Sequence, residues 1–153
     1  MVVGGGSGIG REVALLLARK GAHVVIADAH LESATRVADE AAALGSPESA
    51  AAIAVDLGSA ESLAQAATFT SLLFGGLDAI VNTAAIYPVA GATGRLSDAQ
   101  WTQTFLVNVT GNYLLAQQTE WIFRDQQLPC AMVLTGSANA VVPKKGSEAY
   151  DTS

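Results

Sequence analysis

The sequence predicts an α/β protein built on a doubly wound parallel sheet, and three observations carry that expectation. A glycine-rich turn, Val2-Val3-Gly4-Gly5-Gly6-Ser7-Gly8-Ile9-Gly10, joins a short apolar strand to a helix. Strand and helix patterns then alternate along the whole chain at the pace of right-handed βαβ units. The strand segments are near-continuous apolar runs, as expected of strands buried on both faces. With 153 residues, half of them apolar, the chain is long enough for one domain with a sizeable core and too short for two of ordinary size.

The first helix is expected over Ile9–Lys20, where Ile9, Val13, Leu16 and Leu17 recur at helical spacing and would face a sheet, with Gly21 ending it. His23–Ala27 reads as the second strand, closed by Asp28. Leu31–Leu44 is an alanine-rich helix with Leu31, Ala34, Val37, Ala38, Ala41 and Leu44 on one side and Glu32, Arg36, Asp39 and Glu40 largely outside. Gly45, Ser46 and Pro47 break it, and Ala51–Val55 forms the third strand, ending in Asp56. Ser59 caps a helix running to Phe74, and Gly75-Gly76 turns the chain into a fourth strand, Leu77–Val81, followed by Asn82. From Ile86 to Leu96 the pattern is loop, punctuated by Pro88, Gly91, Ala92 and Gly94. Ser97-Asp98-Ala99-Gln100 is a capping box for the longest helix, whose Trp101, Phe105, Val109, Leu114 and Trp121 are expected to form a broad buried side until Pro129 stops it. Ala131–Leu134 is the fifth strand, Thr135–Lys145 a loop, and Gly146–Ser153 a last helix.

Charge and composition narrow the function. A net charge of −6 is opposite to a nucleic-acid footprint, which needs clustered Lys and Arg; Lys144-Lys145 reads as a solvated loop. Cys130, the single cysteine, is expected to be a buried thiol in a reducing compartment. With His23 and His30 the only histidines, no metal site is expected. No apolar run approaches a membrane span and no signal-peptide pattern leads the chain, so a cytoplasmic protein without a membrane partner is expected.

The glycine turn is where chemistry concentrates. Glycines allow positive φ and close approach of backbone to a pyrophosphate, and the N–H groups at a helix start attract negative charge. The common Gly-x-Gly-x-x-Gly spacing cannot be threaded here, because Ile9 and Val13 stand where glycine would be needed. What fits is Gly4-x-x-x-Gly8-x-Gly10, with Gly6, Ser7 and Ile9 between. Asp28, eighteen residues past Gly10, is placed to accept hydrogen bonds from an adenosine ribose, and its charge would repel a 2′-phosphate, favouring NAD over NADP. Arg11 is the residue that could soften that preference.

This pattern resembles the short-chain dehydrogenase/reductase family, whose first turn reads Thr-Gly-x-x-x-Gly-Ile-Gly, with Val3 here in the threonine's place. The resemblance implies a Rossmann-like sheet, with the five strands present in order 3-2-1-4-5. It extends to Asp56, with Leu57 beside it, as the acidic residue that meets the adenine amino group. Asn82-Thr83-Ala84-Ala85 is similar to the family's Asn-Asn-Ala-Gly, which implies that Asn82 ties the central strands together and that Ala84 leaves room for a ribose. Asn108 resembles the helical asparagine that holds a proton-relay water, and Ser137, thirteen residues before Tyr150, the serine of the family's Ser…Tyr pair. The resemblance implies hydride transfer at a nicotinamide coupled to proton exchange between tyrosinate and the substrate oxygen.

A tyrosine of ordinary pKa, about 10, needs a nearby cation to act as a base near neutrality. In the family a lysine four residues on supplies it; Tyr150-Asp151-Thr152-Ser153 stops one residue short. The expectation is therefore a truncated piece with a full cofactor half and an incomplete catalytic half, acting on a small alcohol, aldehyde or ketone as a homo-oligomer, or associating through an exposed fifth strand. Within the family, residues 137–151 look most like the dehydrogenase module of bifunctional sugar-phosphate aldolase/short-chain dehydrogenases, implying a substrate such as lactaldehyde. Two competing readings are a dinucleotide-binding module without chemistry and a Rossmann-like methyltransferase.

Overall fold

The computed structural model describes residues 1–91 and 94–153; Ala92, expected in the loop before the longest helix, lies outside the described residues. Five parallel strands, β1 (Val2–Val3), β2 (Val24–Asp28), β3 (Ala50–Ala54), β4 (Ala79–Asn82) and β5 (Ala131–Leu134), form one sheet in the order β3-β2-β1-β4-β5. The expected order is thus the observed one, and strand bounds shift by at most two residues. β1 is short, yet it pairs on both sides, Val2 with Ile26 and Val81, Val3 with Ala27 and Asn82.

Side chains alternate across the sheet as strand geometry requires. Val2, Val24 and Ile26 pack beneath α1 (Gly8–Arg19) and α2 (Leu31–Ala42), while Val3, Val25, Ala27 and Ile80 pack beneath α3 (Ala60–Phe74) and α5 (Gly111–Asp125). Ser59 caps α3 by accepting from Ser62 N, and Gly75, at φ +78°, ends it in the left-handed conformation.

Three expectations are corrected. In α1 the buried residues are Gly10, Ala14, Leu15 and Ala18, whereas Ile9 and Leu16 are 67% and 51% exposed. The helix lies so close to the sheet that a Cβ on Gly10 would sit 2.2 Å from the Gly4 carbonyl oxygen. Small residues and Leu15 therefore face the strands, Val13 and Leu17 pack at the margin, and Ile9 and Leu16 turn outward.

The longest helix is divided: α4 (Asp98–Phe105) opens with the expected Ser97–Gln100 capping box, a π turn covers Leu106–Thr110, and α5 follows. Its buried stripe is Thr104, Gly111, Leu115, Thr119 and Ile122, while Trp101, Val109 and Trp121 are exposed. Thr104 and Thr119 can face inward because each hydroxyl donates to the carbonyl four residues back, of Gln100 and Leu115. Finally, Cys130 is exposed rather than buried. It sits beside Pro129 in the connection entering β5, an edge strand whose Val133 is itself 53% exposed.

The last segment carries a 3₁₀ turn, Ala138–Ala140, and the short helix α6 (Glu148–Thr152). Among the described residues no helix is long and apolar enough to cross a membrane.

Candidate cofactor and catalytic site

A cavity of about 820 Å³ opens beyond the carboxyl ends of the strands, where an open parallel sheet reverses its strand order at β1. Of the residues expected to bind cofactor, Gly4, Ser7, Gly8, Ile9, Gly10, Asp28, Asp56, Leu57 and Ala84 line it. Gly6 and Asn82 do not. Both instead hold the walls in place.

The glycines of the turn serve different ends. Gly4, at φ +73°, brings the turn within contact of Ala84, whose backbone N a Cβ would approach to 2.6 Å. Gly10 lets α1 begin directly against the Gly4 carbonyl and the Thr83 hydroxyl, which itself donates to the carbonyls of Val3 and Gly4. Gly8, at φ +53°, has no neighbour within 4 Å of a Cβ and faces open space. Among the described residues no carbonyl or side chain accepts from the amides of Ser7, Gly8 or Ile9. Unpartnered amides at a helix start, above an open cavity, fit the diphosphate of a dinucleotide.

Asp28 has two duties. Its Oδ2 accepts from Gly6 N at 2.9 Å and its Oδ1 from His30 N at 3.0 Å, so the carboxylate fastens the turn to the end of β2 while lining the cavity. Arg11 is committed elsewhere: it pairs with Glu12 and Glu40. The hydrogen bond from Arg11, joined by its charge and by Arg36, holds the Glu40 carboxyl below its ordinary value against the opposing effect of desolvation. Arg36 in turn donates to the Gly6 carbonyl at 3.2 Å. Asp56 is exposed, with Oδ1 accepting from Gly58 N in a tight turn, and Leu57 packs under Gly111.

Asn82 and Asn108 belong to one amide network. Asn82 Nδ2 donates to Asn112 Oδ1 at 2.7 Å, its Oδ1 accepts from Ala84 N, and Asn112 donates to the Asn108 carbonyl at 2.7 Å. Asn108 lies in the π turn and grips the backbone of Ile86 both ways, accepting from its N–H at 2.9 Å and donating to its carbonyl at 3.1 Å. It also donates to Ser153 Oγ, which donates to the Tyr150 carbonyl. Asn108 and the tyrosine helix are thus joined. Ser137 is exposed, its Oγ accepting from Asn139 N at 3.2 Å, and Asn139 Nδ2 donates to Asp151. Tyr150 is half-buried, with the Tyr87 ring edge-on at 4.6 Å.

Several contributors escape a reading of the sequence. Thr83, His30, Ser62 and Ile86 also line the cavity. Asn112 had a signal, since it stands four residues after Asn108 on the same helix face. The described residues contain no cluster of three or more His, Cys, Asp and Glu suited to a metal ion.

Asn108, Ser137 and Tyr150 do not line the cavity, and it is the doubly wound sheet with a glycine cradle at its switch point that defines a dinucleotide-binding α/β protein. The family model described as short chain dehydrogenase matches residues 1–153, and the chain belongs to that family. It is 38% identical over 109 residues to cyclohexanol dehydrogenase of Acinetobacter sp. (strain SE19), covering 71% of this chain and 43% of that protein. It is 29% identical over 152 residues to the uncharacterized oxidoreductase YuxG of Bacillus subtilis (strain 168), covering 99% of this chain and 22% of that one. A short-chain type dehydrogenase/reductase from Mycobacterium marinum superposes with a TM-score of 0.90 at 28% identity, over 99% of this chain and 61% of the other. The chain spans less than two thirds of each of these relatives. The likeness to a bifunctional aldolase/dehydrogenase, expected from residues 137–151, is not among these findings.

Proposed function

We propose that this chain forms the cofactor-binding part of an NAD-dependent oxidoreductase that acts on the CH–OH or carbonyl group of a small alcohol, aldehyde or ketone. The observation that carries the reading is the cavity at the strand tips, floored by the unpartnered amides of Ser7, Gly8 and Ile9 and walled by Asp28. A bound nicotinamide dinucleotide supplies hydride exchange with the substrate carbon.

The chain's own residues divide the remaining work. The amides at the start of α1 bind the diphosphate, and Asp28 accepts from the adenosine ribose hydroxyls. NAD is favoured over NADP because a 2′-phosphate beside Asp28 meets a carboxylate, and the cations near the turn, Arg11 and Arg36, are paired with Glu12 and Glu40. Tyr150 Oη exchanges a proton with the substrate oxygen, Ser137 Oγ donates to that oxygen, and Asn108 keeps the Ile86 backbone and the tyrosine helix in register.

Fluorescence titration tests this. NADH should bind saturably and more tightly than NADPH, and Asp28→Asn should weaken NADH binding by about ten-fold, the loss of roughly one charged hydrogen bond. Equal affinity for both nucleotides would overturn the NAD preference, and no saturable binding of either would overturn the reading itself. Binding without turnover of cyclohexanol or other secondary alcohols is the result expected of a binding module.

A further inference from the structure

We propose that Asp151 is a positioning residue for this reaction, its carboxylate locking the loop that carries Ser137 to the helix that carries Tyr150. The inference rests on the oxidoreductase reading and deepens it by naming what sets the placement of the two reacting hydroxyls.

Little apolar packing holds the span between those residues. Ala138 and residues 140–145 are exposed, including Val141 and Val142, and only Ser147 and Ala149 are buried. A segment with so few buried contacts opens easily unless polar bonds restrain it. The restraint converges on one side chain. Asp151 Oδ1 accepts from Asn139 Nδ2 at 2.9 Å, and Oδ2 accepts from Lys144 N at 2.6 Å and Ser147 Oγ at 2.9 Å.

The three donors come from three parts of the span. Asn139 belongs to the 3₁₀ turn and is the residue whose N–H Ser137 Oγ accepts; Lys144 is in the exposed loop; Ser147 precedes the first turn of α6. Ser137 is therefore linked through Asn139 to the carboxylate next to Tyr150. Hydrogen bonds to an ionised acceptor are roughly twice as strong as neutral ones. Desolvation pushes the Asp151 carboxyl up, but these donors and the Lys144 charge outweigh it and hold it below its ordinary value.

The chemistry also favours an acid here. A carboxylate accepts from all three partners as they stand, whereas an asparagine keeps one acceptor for Lys144 N and turns its NH₂ toward Asn139, whose amide must flip to receive it. Two variants follow, Asp151→Asn and Asp151→Ala, and the expected order of disturbance is Ala, then Asn, then wild type.

The experiment uses the full chain labelled with ¹³C-tyrosine. Of the three tyrosines, Tyr113 on exposed helix surface is an internal reference, and Tyr87 contacts Tyr150 edge-on at 4.6 Å. In Asp151→Ala the Tyr87–Tyr150 ring contact should be lost and the Tyr150 resonance should move, with Tyr113 unmoved. The NADH dissociation constant should stay within about two-fold, because the cradle lies on other strand tips. With cyclohexanone and NADH as probes, kcat should fall about ten-fold at an unchanged KM for NADH, and Asp151→Asn should recover part of it. Where cyclohexanone is not turned over, the tyrosine resonances decide alone. Unmoved Tyr150 signals in Asp151→Ala, or an unchanged kcat, would overturn the positioning role. Failure of the wild type to bind NADH would strike the cofactor reading instead and leave the tyrosine result standing.

Discussion

The glycine turn and the segment from Ser137 to Tyr150 both hang from the carboxyl ends of strands, and they are held by opposite means. The turn grows out of β1, whose Val2 and Val3 are fully buried with a strand on either side. Its root is held backbone to backbone, Gly4 N and Gly5 N donating to the Ala27 carbonyl and Thr83 N to the Val3 carbonyl, and side chains of Asp28, Arg36 and Thr83 add to that hold. The Ser137–Tyr150 segment follows β5, an edge strand, and is restrained by side-chain hydrogen bonds that gather on Asp151. The difference teaches where tolerance lies. At Gly4 and Gly10, where backbone approaches backbone, the cradle admits no added atom, whereas a segment tied by polar side chains admits bulk and depends on particular donors and acceptors.

The largest effect should come from Gly10→Val. Its Cβ would lie 2.2 Å from the Gly4 oxygen and 2.5 Å from Thr83 Oγ1, and neither the turn nor β4 can retreat without unpairing β1. Denaturant unfolding should show a loss of about 3 kcal/mol or more, with NADH binding abolished. A stable, NADH-binding Gly10→Val protein would break the comparison outright.

Next in size is Asn82→Ala, which acts on the wall that the two regions share. Asn82 is 3% exposed, and its removal strands Asn112 Oδ1 and Ala84 N. A buried polar group left without a partner costs about 1–3 kcal/mol, so a loss of about 2 kcal/mol is expected in urea unfolding. Because Asn112 also holds the Asn108 carbonyl, the ¹³C-tyrosine signal of Tyr150 should move as well. A change confined to stability would show that the two halves are uncoupled.

How much of this the sequence carried follows from the same contrast. The Ser59 cap, the Ser97–Gln100 box and the cavity-lining Gly4, Gly8, Gly10 and Asp28 were legible, because glycine spacing and cap residues encode backbone geometry directly, while the strand order followed from the family resemblance. The buried face of α1 was not. Counting bulky residues selects Ile9 and Leu16, but a helix lying close to a sheet presents Gly10, Ala14 and Ala18. Thr104 and Thr119 were missed for a related reason, since their hydroxyls are satisfied inside their own helix. The role of Asp151 was invisible, because its partners Asn139, Lys144 and Ser147 follow no period and meet only when the loop folds back.

A smaller effect is expected from acid at the brace behind the turn. Glu40 accepts from Arg11 and from Arg36, and Arg36 donates to the Gly6 carbonyl. Its folded pKa lies below its ordinary value, chiefly through the Arg11 hydrogen bond. The brace therefore contributes fully above the ordinary carboxylate value, and its contribution is lost as pH falls through the lower folded one. The melting-temperature difference between wild type and Glu40→Gln should shrink across that acid window. A difference that stays constant there would mean that the ion pair does not steady the turn.

The smallest effect should come from Gly136→Ala, the counterpart of Gly10→Val in the other region. Gly136 adjoins Ser137 at the end of β5, its φ is not positive, and a Cβ there meets nothing within 4 Å. The substitution should change stability by less than about 0.5 kcal/mol and leave NADH binding as it is. Paired with Gly10→Val it measures the contrast with one kind of change, an added side chain on a glycine, at two strand ends of the same sheet. A loss above about 1 kcal/mol would require packing around Ser137 that its exposure denies, and the restraint assigned to Asp151 would then be shared with apolar contacts.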